Sequence, residues 1–204
     1  DLFDGKLLSK EAAVHHVIIG QLFDTYWLVQ FGEKLYIIDQ HAAHEKVMFE
    51  KLMDRLSKKE VSSQMINPPI ILNLSLNEAN LINKCMDNFK EIGFEIEAFG
   101  GQDFAVRAVP ADLYTLDSYD VLMQIIDNLS NENGRMVPDM ITEKIASMSC
   151  KAAVKGNNKM STQEANALID QLLSLENPYN CPHGRPTIIS MSHYELDKKF
   201  KRIV

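Results

Sequence analysis

Leu35-Tyr-Ile-Ile-Asp39-Gln-His41-Ala-Ala-His44-Glu45-Lys-Val-Met-Phe-Glu50 is the stretch from which the fold can be read. Its first residues are aromatic and β-branched. Those after Asp39 are helix formers, with apolar side chains at Met48, Phe49, Leu52 and Leu56, so the pattern predicts a buried strand running into a helix. Asp39 falls at the junction. It can cap the free N–H groups of the helix, or serve as a carboxylate at the carboxyl end of a strand, where mixed folds often place chemistry. His41 and Glu45 are about one helical turn apart and share a face. Asp39, His41 and Glu45 can therefore converge on one point, which is the raw material of a metal site. The order His-Ala-Ala-His-Glu is not the His-Glu-x-x-His of zinc peptidases, so further ligands must come from elsewhere in the chain.

Upstream of this stretch, residues 1–13 are polar and mixed, the pattern of a linker end; Val17 to Phe23 and Tyr26 to Phe31 then read as strands, with a turn at Gly32-Glu33. The three strands form a short meander feeding the helix. Downstream, Met65 to Leu74 is extended and carries Pro68-Pro69, which places it at a sheet edge or in a surface-exposed extended stretch, because proline cannot donate to a ladder. Ser75-Leu-Asn-Glu78 is a capping box opening a helix with Leu81, Cys85, Phe89 and Ile92 on one stripe and Gly93 at its end. Cys85 belongs to that stripe and is assigned to the core. Phe94 to Ala98 and Phe104 to Val109 make a hairpin with one wet face, and a helix follows from Ser118 to Leu129. Helix, hairpin and helix form a compact unit, so residues 77–138 read as an inserted subdomain. After Pro138 comes a helix carrying Cys150 and closed by Gly156. A second capping box, Ser161-Thr-Gln-Glu164, opens the next helix, and the box Ser192-His-Tyr-Glu195 opens the last after a strand from Thr187 to Met191. The fold class is mixed, α/β in the broad sense and α+β in detail.

Cys181-Pro182-His183-Gly184-Arg185-Pro186 is the second informative stretch. Two prolines and a glycine make a rigid turn, and Cys181 and His183 can point the same way from an extended backbone. Sulfur and nitrogen suit zinc; a surface turn with a packed cysteine and a hydrogen-bonded histidine is the alternative. Asp39, His41, Glu45, Cys181 and His183, with Cys150 as a further candidate, exceed the four ligands that one zinc needs. The surplus suggests two metals or an exchangeable site, the carboxylates suiting manganese or magnesium and the thiols zinc. Such a cluster fits metal-assisted hydrolysis at phosphorus.

The whole chain bounds the reading. Its 204 residues suffice for one large domain or two small ones, and 46% apolar with 24% charged residues is ordinary for a globular protein. Three widely spaced cysteines argue against a disulfide framework. No apolar run reaches membrane-spanning length and the N-terminus lacks a signal-peptide pattern, so a cytoplasmic protein is expected, with no membrane partner. The net charge of −7 argues against tight DNA binding by bulk charge. Basic residues gather locally at Lys198, Lys199, Lys201 and Arg202.

Taken together, the motifs resemble the C-terminal endonuclease and dimerisation domain of MutL mismatch-repair proteins. Asp39-Gln40-His41-Ala42 with Glu45 and Glu50 matches the family's Asp-Gln-His-Ala, two residues, Glu, four residues, Glu. Cys181 to Pro186 matches its Cys-Pro-His-Gly-Arg-Pro, and Phe200-Lys-Arg202 its terminal Phe-x-Arg. The resemblance covers essentially the whole chain. It departs from the family at Ser149-Cys150-Lys151, where the family has Ala-Cys-Arg and where lysine cannot reproduce a bidentate guanidinium contact. It departs again at the sliding-clamp motif, where Gln64 stands one place late ahead of Met65, Ile66 and Pro68. Glu50 lies about 180° from His41 on a straight helix, which suits an outer partner better than a ligand.

The resemblance implies a metal-dependent endonuclease that nicks one strand of duplex DNA in mismatch repair and works as a homodimer in a nucleoid-associated, bacterial-type setting. In that reading Asp39 and Glu45 are catalytic. Asp39, His41, Glu45, Cys150, Cys181 and His183 are the metal ligands, with zinc and manganese (or magnesium) as cofactors. Gln64, Met65, Ile66 and Pro68 meet the replication sliding clamp, and Lys151, Arg185, Arg202 and Glu50 meet phosphate or hold the structure. It also implies a dimerisation and endonuclease subdomain over residues 1–76 and 139–204, with a regulatory subdomain over 77–138, and contact with the mismatch-recognition protein MutS through a longer protein that adds the ATPase switch. The alternative is a non-catalytic dimerisation and clamp-docking module with a structural zinc site.

Overall fold

A computed structural model of the chain describes residues 16–111, 118–131, 138–155 and 160–203. The linker expected over residues 1–13 and the helix end expected at Gly156 lie outside the described residues. In chain order the elements are β1 (Val17–Leu22), β2 (Tyr26–Phe31), β3 (Lys34–Asp39), α1 (Gln40–Lys58), β4 (Ser63–Asn73), α2 (Leu76–Ile92) and β5 (Glu95–Gly100). Then follow β6 (Asp103–Pro110), α3 (Ser118–Asn131), α4 (Pro138–Lys155), α5 (Thr162–Leu173), β7 (Ile188–Ser192) and α6 (His193–Lys199). Both sheets are antiparallel, which makes the fold α+β.

The chain divides into two compact units, Asp1–Glu50 with Asn157–Val204, and Lys51–Gly156. In the first, the expected meander is joined by the last strand to give the order β1-β2-β3-β7. Alternation sorts its side chains onto two faces. Trp27 and Val29 of β2, Tyr36 and Ile38 of β3 and Ile188 of β7 form the inner face, packed in one core with Ala43 and Val47 of α1 and Leu168, Ile169 and Leu172 of α5. Each large apolar side chain buried there stabilises the fold by about 1.5–3 kcal/mol. The face of α1 differs from expectation. Leu52 is buried as expected, but the small Ala43 and Val47 join the sheet's core while Met48, Phe49 and Leu56 stay only half-buried, because small side chains let a helix approach a sheet closely.

The second unit has the three-stranded order β4-β6-β5 with α2, α3 and α4. It is wider than the insert expected over 77–138. β4 pairs with β6 from Ser63 onward, and Asn88 and Glu91 of α2 share hydrogen bonds with Thr142 of α4, so both flanking elements belong to it. The expected Pro68-Pro69 segment does form an edge strand, with a shift of register between Met65 and Ile70. The hairpin's wet face lies mainly on β5, with Arg107 of β6 exposed beside Glu97. β6, paired on both edges, buries Phe104, Ala105, Val106, Ala108 and Val109. Ser75 and Glu78 close the capping box of α2, and Cys85, Phe89 and Ile92 are buried on it as the stripe predicts. Gly93 ends that helix at φ 106, where a Cβ would stand 3.0 Å from Val61 Cγ1, so both the backbone and the space select glycine.

Candidate metal centre

The first unit brings the two informative stretches together. β3 pairs with β7 so that Ile38 faces Ile188, and at the end of that ladder the Asp39 N–H donates to Thr187 O at 2.9 Å. The strand-to-helix junction is thereby tied to the segment that follows the Cys181–Pro186 turn. The turn closes on itself. Asn180 bridges Pro186, the Cys181 N–H donates to Arg185 O at 2.9 Å, and the Gly184 N–H donates to Cys181 O at 2.9 Å with Gly184 at φ 78. Cys181 and His183 thus share a side because the backbone curls, rather than because it is extended.

Glu45 is the centre of the site. It projects from α1 and its side chain is only 2% exposed. Arg185 Nη2 donates to Glu45 Oε2 at 2.6 Å. His183 Nδ1 stands 2.8 Å from Glu45 Oε1. That oxygen nevertheless accepts no hydrogen bond, so the ring nitrogen approaches it off the N–H axis. Two donors side by side at this distance, one of them a buried carboxylate oxygen, are what a shared cation would fill. Glu45, Cys181 and His183 each offer a ligand atom, and those atoms all lie within 4.8 Å of one another. Carboxylate oxygen, thiol sulfur and imidazole nitrogen are the donors zinc takes, so the residues fit that ion. A hydrogen bond with the Cys181 side chain, and behind it the charge of Glu45, hold the Arg185 guanidinium above its ordinary range.

Among the described residues Asp39 and His41 stand outside that group of three. Asp39 Oδ1 accepts the Ala42 N–H at 2.9 Å, so the aspartate caps α1, and one of its oxygens is turned along the helix. His41 is half-buried and lies about 6 Å of helical rise below Glu45, a full turn nearer the junction. Cys150 is buried on α4, in the second unit, and Lys151 beside it is exposed. Glu50 pairs with Lys46 one turn back on α1. Arg202, largely exposed, lies 3.6 Å from Asp197 and over the Phe200 ring at 5.8 Å. Gln64 and Met65 are exposed on the edge strand and Ile66 is half-buried. Pro68, exposed, follows a cis peptide bond from Asn67.

One contributor escaped the sequence reading. Gln40, 2% exposed, accepts through Oε1 from Trp27 Nε1 at 2.9 Å and from Gln21 Nε2 at 2.8 Å, while its N–H donates to Thr25 O at 2.9 Å. This buried network locks the first turn of α1 to β1 and β2 and fixes the direction in which Glu45 emerges. Gln40 stands in the Asp-Gln-His-Ala motif, but the motif alone does not reveal a buried acceptor shared by Trp27 and Gln21.

The family model described as the MutL C-terminal dimerisation domain matches residues 19–160. The chain belongs to this MutL family. It is 55% identical over 202 residues to the DNA mismatch repair protein MutL of Agathobacter rectalis, covering 99% of the chain and 31% of that relative. It is 43% identical over 186 residues to the DNA mismatch repair protein MutL of Clostridium botulinum strain Kyoto, covering 91% of the chain and 28% of the relative. The chain therefore spans about a third of the length of these MutL relatives. Among the described residues no helix is long and apolar enough to cross a membrane.

Proposed function

We propose that this MutL C-terminal domain is a metal-dependent endonuclease that nicks one strand of duplex DNA in mismatch repair. The observation that carries the reading is the buried Glu45 Oε1, which has no hydrogen bond and lies beside the ligand atoms of Cys181 and His183. An orphaned buried carboxylate oxygen is costly unless a cation completes it. In this reading Glu45, Cys181 and His183 hold zinc. Asp39, whose Oδ1 is committed to the helix cap, offers its other oxygen together with His41 to a harder ion such as manganese or magnesium. When bound, such ions supply Lewis-acid activation of water and of the scissile phosphate. The chain's own part is to fix the ligands. The Gln40 network aims α1, the closed turn presents Cys181 and His183, and Arg185 holds Glu45.

The homodimer is the finer part of the same reading. The outer face of the first sheet is apolar: Leu28, Leu35, Ile37 and Met191 are half-buried there, and Ile189 is 50% and Val17 59% exposed. A second copy covering that face would remove this surface from water. The net charge of −7 leaves the grip on DNA to other parts of a longer protein, through which MutS is also met, in a cytoplasmic, nucleoid-associated setting. The exposed edge-strand segment Gln64 to Pro68, with Met65 58% exposed, is the surface offered to the sliding clamp.

The test is nicking of supercoiled plasmid at low salt with manganese, with and without the clamp, by the wild type and by Asp39→Asn. An asparagine oxygen still accepts the Ala42 N–H, so the variant should fold and lose nicking. Unchanged nicking by folded Asp39→Asn refutes the assignment. A second reading, a non-catalytic module with a structural zinc, is favoured by the tight trio of Glu45, Cys181 and His183 from which Asp39 and His41 stand apart. That reading predicts zinc binding without Asp39-dependent cleavage, even in the full-length protein.

A further inference from the structure

We propose that Arg185 is the positioning residue of this metal centre: by occupying Glu45 Oε2 it commits Glu45 to bind an ion through Oε1 alone, on the side of Cys181 and His183. The inference rests on the metal-site reading above and adds a role for a cation in direct contact with Glu45.

The two oxygens of Glu45 do different work. Oε2 receives the Arg185 guanidinium at 2.6 Å, while Oε1 lies 2.8 Å from His183 Nδ1 and takes no hydrogen bond. An unrestrained carboxylate can rotate and offer an ion both oxygens or the wrong one. The guanidinium removes that freedom, and it does so from a short lever. Arg185 is part of the closed turn that carries Cys181 and His183, its carbonyl oxygen accepting the Cys181 N–H at 2.9 Å. One turn thus delivers the sulfur, the nitrogen and the group that orients the oxygen. The guanidinium is a planar, fixed fork rather than a rotating point charge, so its hold on Glu45 Oε2 sets the carboxylate's orientation. In the metal-free centre the same cation neutralises the buried Glu45 carboxylate, which keeps the ligands assembled before an ion arrives.

Charge and position predict opposite outcomes when Arg185 is removed. If Arg185 acted only as a charge, removing a cation beside a dication would tighten metal binding. If it positions Glu45, binding weakens, by about 10–100-fold for the loss of an outer partner that orients a ligand. The experiment is a competition between a chromophoric chelator and the zinc-stripped chain for Co2+, following the sulfur-to-cobalt charge-transfer band, with wild type, Cys181→Ser, Arg185→Gln and Arg185→Lys. Wild type should show the band and Cys181→Ser should lose it; a wild type without the band refutes the metal-site reading itself. Both Arg185 variants should keep the band and bind Co2+ about 10–100-fold more weakly. Lysine preserves the charge that a merely structural ion pair needs but not the fork, so it also carries the test if the glutamine variant fails to fold. Unchanged or tighter binding by a variant that keeps the band, or full rescue by Arg185→Lys, overturns the proposal.

Discussion

Gln40→Leu tests the network that aims the metal-binding helix. Leucine nearly preserves the volume and removes the oxygen that accepts from Trp27 Nε1 at 2.9 Å and Gln21 Nε2 at 2.8 Å. Trp27 is 3% exposed, so its indole N–H is left in the core without an acceptor, at a cost of about 1–3 kcal/mol. Gln21 is only half-buried and its amide can turn to water, so it adds little. The expected destabilisation is about 2 kcal/mol, a large share of the ~5–15 kcal/mol of a typical domain. Trp27→Phe removes the donor instead, and in the double variant neither group is orphaned. The cycle should therefore show a coupling of about 1–2 kcal/mol, with the double variant more stable than the sum of the singles predicts. Urea unfolding followed by far-UV circular dichroism gives the midpoints, which should shift at constant slope. Emission of Trp27, the single tryptophan, follows the first unit in the Gln40→Leu variant. Additivity within about 0.5 kcal/mol refutes the reasoning, since independent sites add to that tolerance.

Cys181→Ser should lower the zinc-to-protein ratio measured by elemental analysis after dialysis, because the hard hydroxyl replaces the soft ligand. Ile37→Asp, in the middle of the outer sheet face, should convert a dimer to a monomer in light scattering without altering the far-UV spectrum. Glu78, Glu164 and Glu195 are held below the ordinary 4.5 by their capping-box hydrogen bonds to Ser75, Ser161 and Ser192. A lowered folded pKa means that their contribution is present above pH 4.5 and is lost as pH falls through the folded value. Urea midpoints should therefore fall below pH 4.5, and Ser161→Ala should flatten that fall; an unchanged acid limb in the alanine variant counts against the cap as its source.

The sequence by itself determined what is local. Alternation in β2 and β3, the three Ser-x-x-Glu boxes, the stripe that buried Cys85 and the glycine that ends α2 were all legible, because each depends on backbone geometry within a few residues. It also held the identities of the ligand candidates, since the donors a zinc takes are a matter of residue type. Which of them meet was decided by tertiary structure. Helical spacing grouped His41 with Glu45 and the junction grouped both with Asp39, but the pairing of β3 with β7 sets the Cys181–Pro186 turn against Glu45, a partner 140 positions away for Arg185. The split jobs of the two Glu45 oxygens, the burial of Gln40 under Trp27 and the reach of the second unit to β4 and α4 likewise follow from long-range packing. Periodicity along a chain specifies which face a side chain takes; only the pairing of distant strands specifies what that face meets.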